Sequence, residues 1–462
     1  MNSAQESSSF RDPNGFIFRA DGVVYRQIQA SYQSDFELLI SSGLYRKLAD
    51  IGLLIPHSEA PVDMAITNDA WKVIHPVPIP FITYPYEWCF SQLKDAALLT
   101  LAIQKFAIEH GMSLKDASAY NIQYLRGQPI FIDTLSFEEF QPGQPWVAYR
   151  QFCQHFLAPL ALMSHVDIRL SQLLKVHIDG IPLDLASSLL PFKTRLNFGL
   201  LTHVHLHGAA QKKYESTGLK KSEQKPHLPM NATLGLLDSL ETTVKKLTWK
   251  PAGTEWADYY DATNYSNVAM QRKLELVEGM ISQITPAPAT VWDLGANRGV
   301  FSRTVANSER SVISWDIDPA AVEKNYLDCK ADGASNLLPL IQDLTNPSPA
   351  IGWNLHERGS LIDRSPADAL LALALIHHLC IGNNVPLIQV AKFFREIGNW
   401  LIIEFVPKVD SQVQRLLSSR EDVFLHYTQA NFDAAFSQYF EIVRAEPVPE
   451  SERILYLMKG IG

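Results

Sequence analysis

Cysteine is scarce: Cys89, Cys153, Cys329 and Cys380 are all that 462 residues contain. They lie far apart and form no CxxC pair, so the sequence offers neither a disulfide framework nor a zinc ribbon. Charge is sparse as well. The 40 Lys+Arg against 49 Asp+Glu make up 19% of the chain and leave a net charge of −9. This acidic balance disfavours a dedicated nucleic-acid binder. Long hydrophobic runs are missing: the longest, Ala369 to Ile376, falls well short of the ~18 to 20 residues a membrane helix needs. The opening MNSAQESSSFRDPNG has no basic region followed by an apolar stretch, so no secretory signal is read. No metal site is expected. These absences imply a cytoplasmic protein with no membrane partner.

What is present is ample core material. Apolar residues make up 47% of the chain, and at roughly 150 residues per domain the length allows two or three domains. The stretch Gln211 to Pro226 carries five Lys and two Glu with almost no apolar residue. Such a stretch reads as an exposed linker, and it is followed by a helical pattern from Leu234 to Leu247. We therefore divide the chain into residues 1–207, a linker and helical cap over 208–255, and residues 256–462. In the last part apolar strands alternate with helices. Strands are predicted at Thr290 to Leu294, Ser311 to Trp315, Asp368 to Ile376, Trp400 to Phe405, Phe440 to Val443 and Ile454 to Met458. Helices are predicted at Leu274 to Ile284 and Gln389 to Ile397. This alternation implies an α/β layer structure, with the late strands forming the antiparallel edge of a mixed sheet.

The strongest chemical signal follows the first of these strands, in Asp293-Leu-Gly295-Ala-Asn297-Arg-Gly299. An acid ending a strand, then glycines in a sharp turn into a helix, lets backbone approach a bound nucleoside closely. The next strand ends at Asp316, where an α/β nucleoside site places a carboxylate on the ribose hydroxyls. No Gly-Lys-Ser/Thr follows, which excludes a Walker A loop, and the glycine spacing is not that of a dinucleotide fingerprint.

The DLGANRG turn resembles the first motif of the class I S-adenosylmethionine-dependent methyltransferases, with Asn297 in place of that motif's middle glycine. The resemblance covers roughly residues 257 to 462 and implies a Rossmann-like mixed seven-stranded sheet. It also implies S-adenosylmethionine as cofactor, held by Asp293, Gly295, Asn297, Gly299 and Asp316. Asp343, in LIQDLTNPSP after a third strand, matches the acid that accepts from the adenine amino group. His377 and His378 follow the fourth strand, at the edge where open α/β sheets bind ligands. Either suits the general base for a hydroxyl acceptor. Glu404, ending the fifth strand, is a further catalytic candidate. Trp256 to Asn267 resembles the segment that covers the cofactor.

The first part of the chain carries a second resemblance. In LKDASAYNIQYLRGQPIFIDTLSF, Asp116, Asn121 and the strand-ending Asp133 stand in the order of protein kinases and small-molecule phosphotransferases. Phe81 to Trp88 resembles their hinge strand, Asp95 to His110 the following helix, and Gly15 to Ile28 an opening hairpin. This implies an α+β kinase-like two-lobed domain that could hold Mg-ATP. The departures are specific: Leu114-Lys115 replaces His-Arg, Asp133-Thr134-Leu135 replaces DFG, no GxGxxG loop is present, and Arg26 stands where the anchoring lysine belongs. Arginine's planar fork is not an equivalent replacement. His203, His205 and His207 could share a face, but no carboxylate or cysteine adjoins them in sequence, and helix packing is the expectation.

The two-part layout resembles that of bacterial methyltransferases, among them a nodulation-associated one with a saccharide acceptor. It implies methyl transfer to a small-molecule or saccharide acceptor, with the first domain binding substrate or regulating access. Two alternatives stay open: an RNA or protein methyltransferase, and a nucleotide-binding pseudokinase or phosphotransferase fused to a methyltransferase fold.

Overall fold

A computed structural model describes residues 3–208, 230–254, 267–418 and 421–462. The Lys-rich stretch 211–226, and residues 256–266 of the stretch expected to cover the cofactor, lie outside the described residues. The chain divides into two compact units, Met1–Lys250 with Ile351–Arg358, and Pro251–Ala350 with Gly359–Gly462.

In the first unit, β1 (Ser3–Gln5), β2 (Gly15–Ala20), β3 (Val23–Gln29), β4 (His57–Ala60) and β5 (Ala70–Pro76) form an antiparallel sheet in the order β1-β2-β3-β5-β4. The hairpin foreseen at residues 15–28 is β2–β3. It turns at Asp21-Gly22, both with positive φ, the pair that a tight two-residue hairpin turn requires. The long helix runs Phe90–Glu109. Beyond it β6 (Met112–Leu114), β7 (Ile122–Leu125), β8 (Gln128–Phe131) and β9 (Phe137–Glu139) make two ribbons, β6 with β9 and β7 with β8. The strand expected at Phe81 to Trp88 is absent. Pro85 has no N–H to give a ladder, and the Glu87 carboxylate accepts the Tyr84 N–H at 3.0 Å, closing a short helical turn over Pro85–Glu87.

The second unit is a mixed seven-stranded α/β sheet of β10 (Thr290–Leu294), β11 (Ser311–Asp316), β12 (Leu337–Ile341), β13 (Ala367–Ala372), β14 (Gly398–Phe405), β15 (Phe440–Pro447) and β16 (Ile454–Gly460). Its order is β12-β11-β10-β13-β14-β16-β15. The first five strands are parallel, and β16 runs antiparallel to both its neighbours. Val291, Leu371, Ile402 and Leu457 pack with Val277 and Met280 of the helix Asn267–Ile281 in one buried cluster. β13 is shorter than the run Asp368 to Ile376 suggests. It stops at Ala372 because Ala374 takes a left-handed φ of 50°. There its N–H leaves the ladder to reach the Glu404 carboxylate at 2.7 Å.

The strand order places β10 between β11 and β13, so the chain leaves β10 in one direction and later returns on its other side. That reversal opens a crevice at the carboxyl edge, the usual ligand position in open parallel sheets.

Candidate active site

The turn after β10 is built by its neighbour. Gly295 and Ala296 both donate their N–H to the Trp315 carbonyl, at 2.9 and 2.8 Å. Gly295 (φ 76°), Asn297 (φ 50°) and Gly299 (φ 73°) all lie in the left-handed region. At Gly299 a side chain fails twice: the φ strains it, and its Cβ would stand 2.6 Å from Asn325. Asn297 tolerates its conformation by accepting the Arg298 N–H on its own side-chain oxygen at 2.9 Å.

Asp316 ends β11 directly beside this turn. Its two oxygens accept the N–H of Asn297 at 2.7 Å and of Asp318 at 2.8 Å. Asp293 accepts a 2.5 Å hydrogen bond from Ser302 Oγ, which in turn accepts from Ser314 Oγ at 2.7 Å. Both carboxyls are buried, and burial is the first cause raising Asp293 to about 7 and Asp316 to about 6. Hydrogen bonds to the charged form oppose the rise without cancelling it. Asp343 sits past β12, where its carboxylate accepts from Thr345 N and Oγ1 at 2.8 and 2.6 Å. The Gln342 N–H beside it reaches the Asp316 carbonyl at 2.8 Å.

Across the crevice, His377 and His378 follow β13 with ring centroids 4.1 Å apart. His377 is buried, and its Nδ1 has no hydrogen-bond partner among the described residues. Burial, then the neighbouring His378, Arg453 and Lys273, hold its pKa well below the ordinary value. Burial and Arg453 lower His378 to about 4. Both imidazoles are therefore neutral at pH 7, the form that can accept a proton.

Glu404 has a different setting. One oxygen accepts from Lys273 Nζ and from the Ala374 N–H, each at 2.7 Å. The other faces Arg453 Nη1 at 3.7 Å. Arg453 also forks onto Asp410 at 2.7 and 3.1 Å. Lys273, Glu404 and Arg453 are all buried. A carboxylate so occupied ties the loop that leads to the histidines to the helix that carries Lys273.

No family model matches the chain. Over 459 residues it is 34% identical to nodulation protein NoeA of Rhizobium meliloti strain 1021, spanning 97% of this chain and 95% of that protein. The chain belongs to the NoeA family. Among solved structures it is similar to magnesium protoporphyrin IX methyltransferase ChlM from Synechocystis PCC 6803 with bound SAH. That match has 17% identity over 44% of this chain and 93% of that one, with a TM-score of 0.32. Others are the 16S rRNA methylase ArmA, at 13% identity over 45% and 90% with a TM-score of 0.30, and WbdD, at 15% over 46% and 43% with a TM-score of 0.31.

In this NoeA-family chain the first unit also brings its three singled-out residues together. Asp116 accepts the Ser118 N–H at 2.8 Å and bonds the side chains of Gln151 and Asn121. Asn121 donates to Ser136 Oγ at 3.3 Å, and Ser136 Oγ donates to Asp133 at 2.5 Å. Arg26 closes the cluster with Nη1 2.6 Å from Asp133. Burial first, then Asp133, raises the Asp116 pKa. Sequence reasoning missed Ser136 and Gln151, which have no motif, and in the second unit it missed Lys273 and Arg453. Lys273 did leave a signal, since it occupies the buried stripe of its helix with Ala269, Val277 and Met280. A charged side chain there requires a buried partner. His203 and His205 each spend both ring nitrogens on hydroxyls, of Tyr149 and Ser239 and of Ser187 and Thr194.

Proposed function

We propose that this NoeA-family protein is an S-adenosylmethionine-dependent methyltransferase acting on a hydroxyl of a small-molecule or saccharide acceptor. The observation that carries the reading is the pair Asp293 and Asp316, two buried carboxyls at the carboxyl ends of adjacent parallel strands flanking a left-handed glycine turn. S-adenosylmethionine supplies a methyl group already activated on a sulfonium, so the protein's work is alignment and exclusion of water. The free lone pairs of Asp316 suit the ribose hydroxyls, and the turn 295–299 lets the nucleoside lie close to backbone. Asp343, beside Asp316 at the next strand end, suits the adenine amino group. Asp293 adds negative potential where the cofactor is cationic.

On the acceptor side, His377 is the base we favour, with its unpartnered Nδ1 receiving the hydroxyl proton; His378 is the second candidate. Glu404 serves as a positioning residue for their loop. The first unit serves acceptor binding or regulation. Arg26 holds Asp133 where a cation would otherwise sit, and this favours a binding scaffold over phosphoryl transfer with Mg-ATP.

The test is calorimetric titration with S-adenosylmethionine and S-adenosylhomocysteine, repeated on Asp316→Ala. Removing a buried charged hydrogen-bond acceptor should weaken binding by about 1 to 3 kcal/mol, roughly 5- to 150-fold in Kd. A variant that binds as tightly as the parent places the ribose elsewhere, and a parent that binds neither ligand ends the methyltransferase reading.

A further inference from the structure

Phe192, Leu196 and Phe198, in the first unit, are not among the residues of the candidate site. These side chains are 77%, 84% and 76% exposed. They stand within one short segment, a helical turn Phe192–Leu196 leading into the helix Phe198–Leu200. Single apolar residues on a surface need no explanation, but three large ones this bare and this close do. Lys193 and Arg195 lie between them and are exposed too. From Leu185 to Gly208 the sequence contains no Asp or Glu, although the chain as a whole carries −9. Leu196 and Phe198 also line a groove of about 520 Å³ with Asp238 and Lys246. The Asp238 carboxylate in that groove is neutralised by Lys105 at 2.6 Å.

The display is built into the fold. Thr194, at the centre of the segment, is buried and donates to the Pro191 carbonyl at 2.7 Å. It shares a 2.9 Å hydrogen bond with His205 Nε2, and His205 Nδ1 meets Ser187 Oγ at 2.8 Å. Asn197 caps the following turn by accepting the Leu200 N–H at 3.2 Å. The backbone is thus pinned inward at Thr194 while the side chains on either side of it face solvent.

We propose that Phe192, Leu196 and Phe198, with Lys193 and Arg195, form a docking surface for an anionic lipid bilayer. Apolarity alone would suit any hydrophobic partner. The interleaved cations, and the absence of acids from the stretch 185–208, select a boundary that is apolar beneath and negative above. Phenyl and isobutyl groups pass between headgroups while the long cationic side chains stay at phosphate level. Among the described residues no helix is long and apolar enough to cross a membrane, and surface docking needs none.

The experiment is co-sedimentation of the full chain with vesicles of phosphatidylcholine alone or mixed with phosphatidylglycerol. Partition onto the mixed vesicles is expected, weaker on phosphatidylcholine and weakened by salt, as the electrostatic part is screened. Phe192→Ser/Leu196→Ser/Phe198→Ser should cut partition about tenfold or more by removing the inserted groups, and Lys193→Glu/Arg195→Glu should do the same by reversing the attraction. Thermal melting checks that each variant folds. If the serine variant does not, the charge-reversed pair decides alone. The proposal falls if the parent stays in the supernatant with the mixed vesicles, or if charge reversal leaves partition unchanged. It also falls if the parent self-associates in light scattering through this face without binding vesicles, which would make it a contact between copies of the chain.

Discussion

Two carboxyls, Asp293 and Asp316, mark the candidate site because they are expensive to bury. Each has a folded-state pKa above the ordinary value, pushed to about 7 and about 6 by loss of water. The protonated form is therefore the one that folding favours. Below the unfolded pKa of about 4 these groups take nothing from stability, and they take progressively more as pH climbs to about 7. A ligand that donates hydroxyls to Asp316 and brings positive charge near Asp293 reverses that cost, because it prefers the ionised forms. Binding of S-adenosylmethionine should accordingly tighten between pH 5 and pH 7.5, and the rise in melting temperature it causes should grow over the same interval. Calorimetry at three pH values checks this, with Asp316→Asn as control, since an amide has no proton to lose and the variant's profile should be shallower, keeping only the part due to Asp293. A parent profile no steeper than the variant's would mean that the ligand does not contact the ionised Asp316 carboxyl. Such behaviour is not visible from a motif alone: DLGANRG and the Asp closing the next strand are legible in the sequence, whereas the burial that shifts them depends on the strand neighbours.

At the level of elements, the helix Asn267–Ile281 and the loop after β13 are keyed to one another through Glu404. Lys273 inserts its ammonium among core side chains, 4.9 Å from the centre of the Phe301 ring, to reach that carboxylate. Replacing it by methionine keeps the volume but takes from Glu404 its 2.7 Å partner, while the Arg453 guanidinium at 3.7 Å and the Ala374 N–H stay in place. Breaking a buried pair from one side costs about 3 to 5 kcal/mol, whereas replacing both partners with apolar groups is often near neutral. Lys273→Met should therefore lower stability by that order in urea unfolding, and Lys273→Met/Glu404→Leu should recover much of it, except for what the Ala374 N–H loses. Equal stabilities for parent and single variant would show the pair to be ornamental. These elements also show where sequence reasoning stopped. Glu404 was legible as an acid at a strand end, and that position suggested catalysis. Its partners were not, because Arg453 lies in a loop without periodicity and a pairing across 131 residues leaves no local trace. The strand over Asp368 to Ile376 was overextended for the same reason, as the apolar run continues through the turn that Glu404 bends. At Phe81 to Trp88 the strand that the resemblance to a hinge implied does not form, because the local competition from Pro85 and Glu87 decides otherwise. The turn-and-strand half of the site, in contrast, was readable because glycine, acid and apolar run all fall within one stretch of chain.

For the molecule as a whole, the two units do not correspond to two uninterrupted stretches of sequence. Residues 351–358, flanked on both sides by chain of the second unit, belong to the first. They form a small antiparallel loop closed by Ile351 and Arg358, which exchange backbone hydrogen bonds at 3.1 and 3.0 Å. Within it Glu357 is buried and takes the Trp353 N–H at 3.0 Å and the Arg11 guanidinium at 2.9 Å. Arg358 lies over the Tyr120 ring at 4.2 Å from its centre. Hydrogen bonding to Arg11, against the cost of burial, holds the Glu357 carboxyl below its ordinary range. A charge-assisted, bidentate contact with its carboxylate buried and its guanidinium half exposed contributes more than a surface ion pair. A fragment ending at Lys250 would lack residues 351–358, leaving Arg11 without Glu357 and with the more distant Asp179 at 3.7 Å, and Tyr120 without Arg358. Its melting temperature should lie below that of the first transition of the full chain. A synthetic peptide covering residues 350–359 should raise it in a concentration-dependent way, because a ligand that binds only the folded form stabilises by mass action. The same peptide carrying Glu357→Ala should not. If the fragment melts with the full chain's first transition and ignores the peptide, the loop rests on the first unit without stabilising it. If it melts lower and the peptide restores it, the last strands of the sheet and the first unit's fold are linked through eight residues of chain, and no cut between Lys250 and Pro251 yields two complete domains.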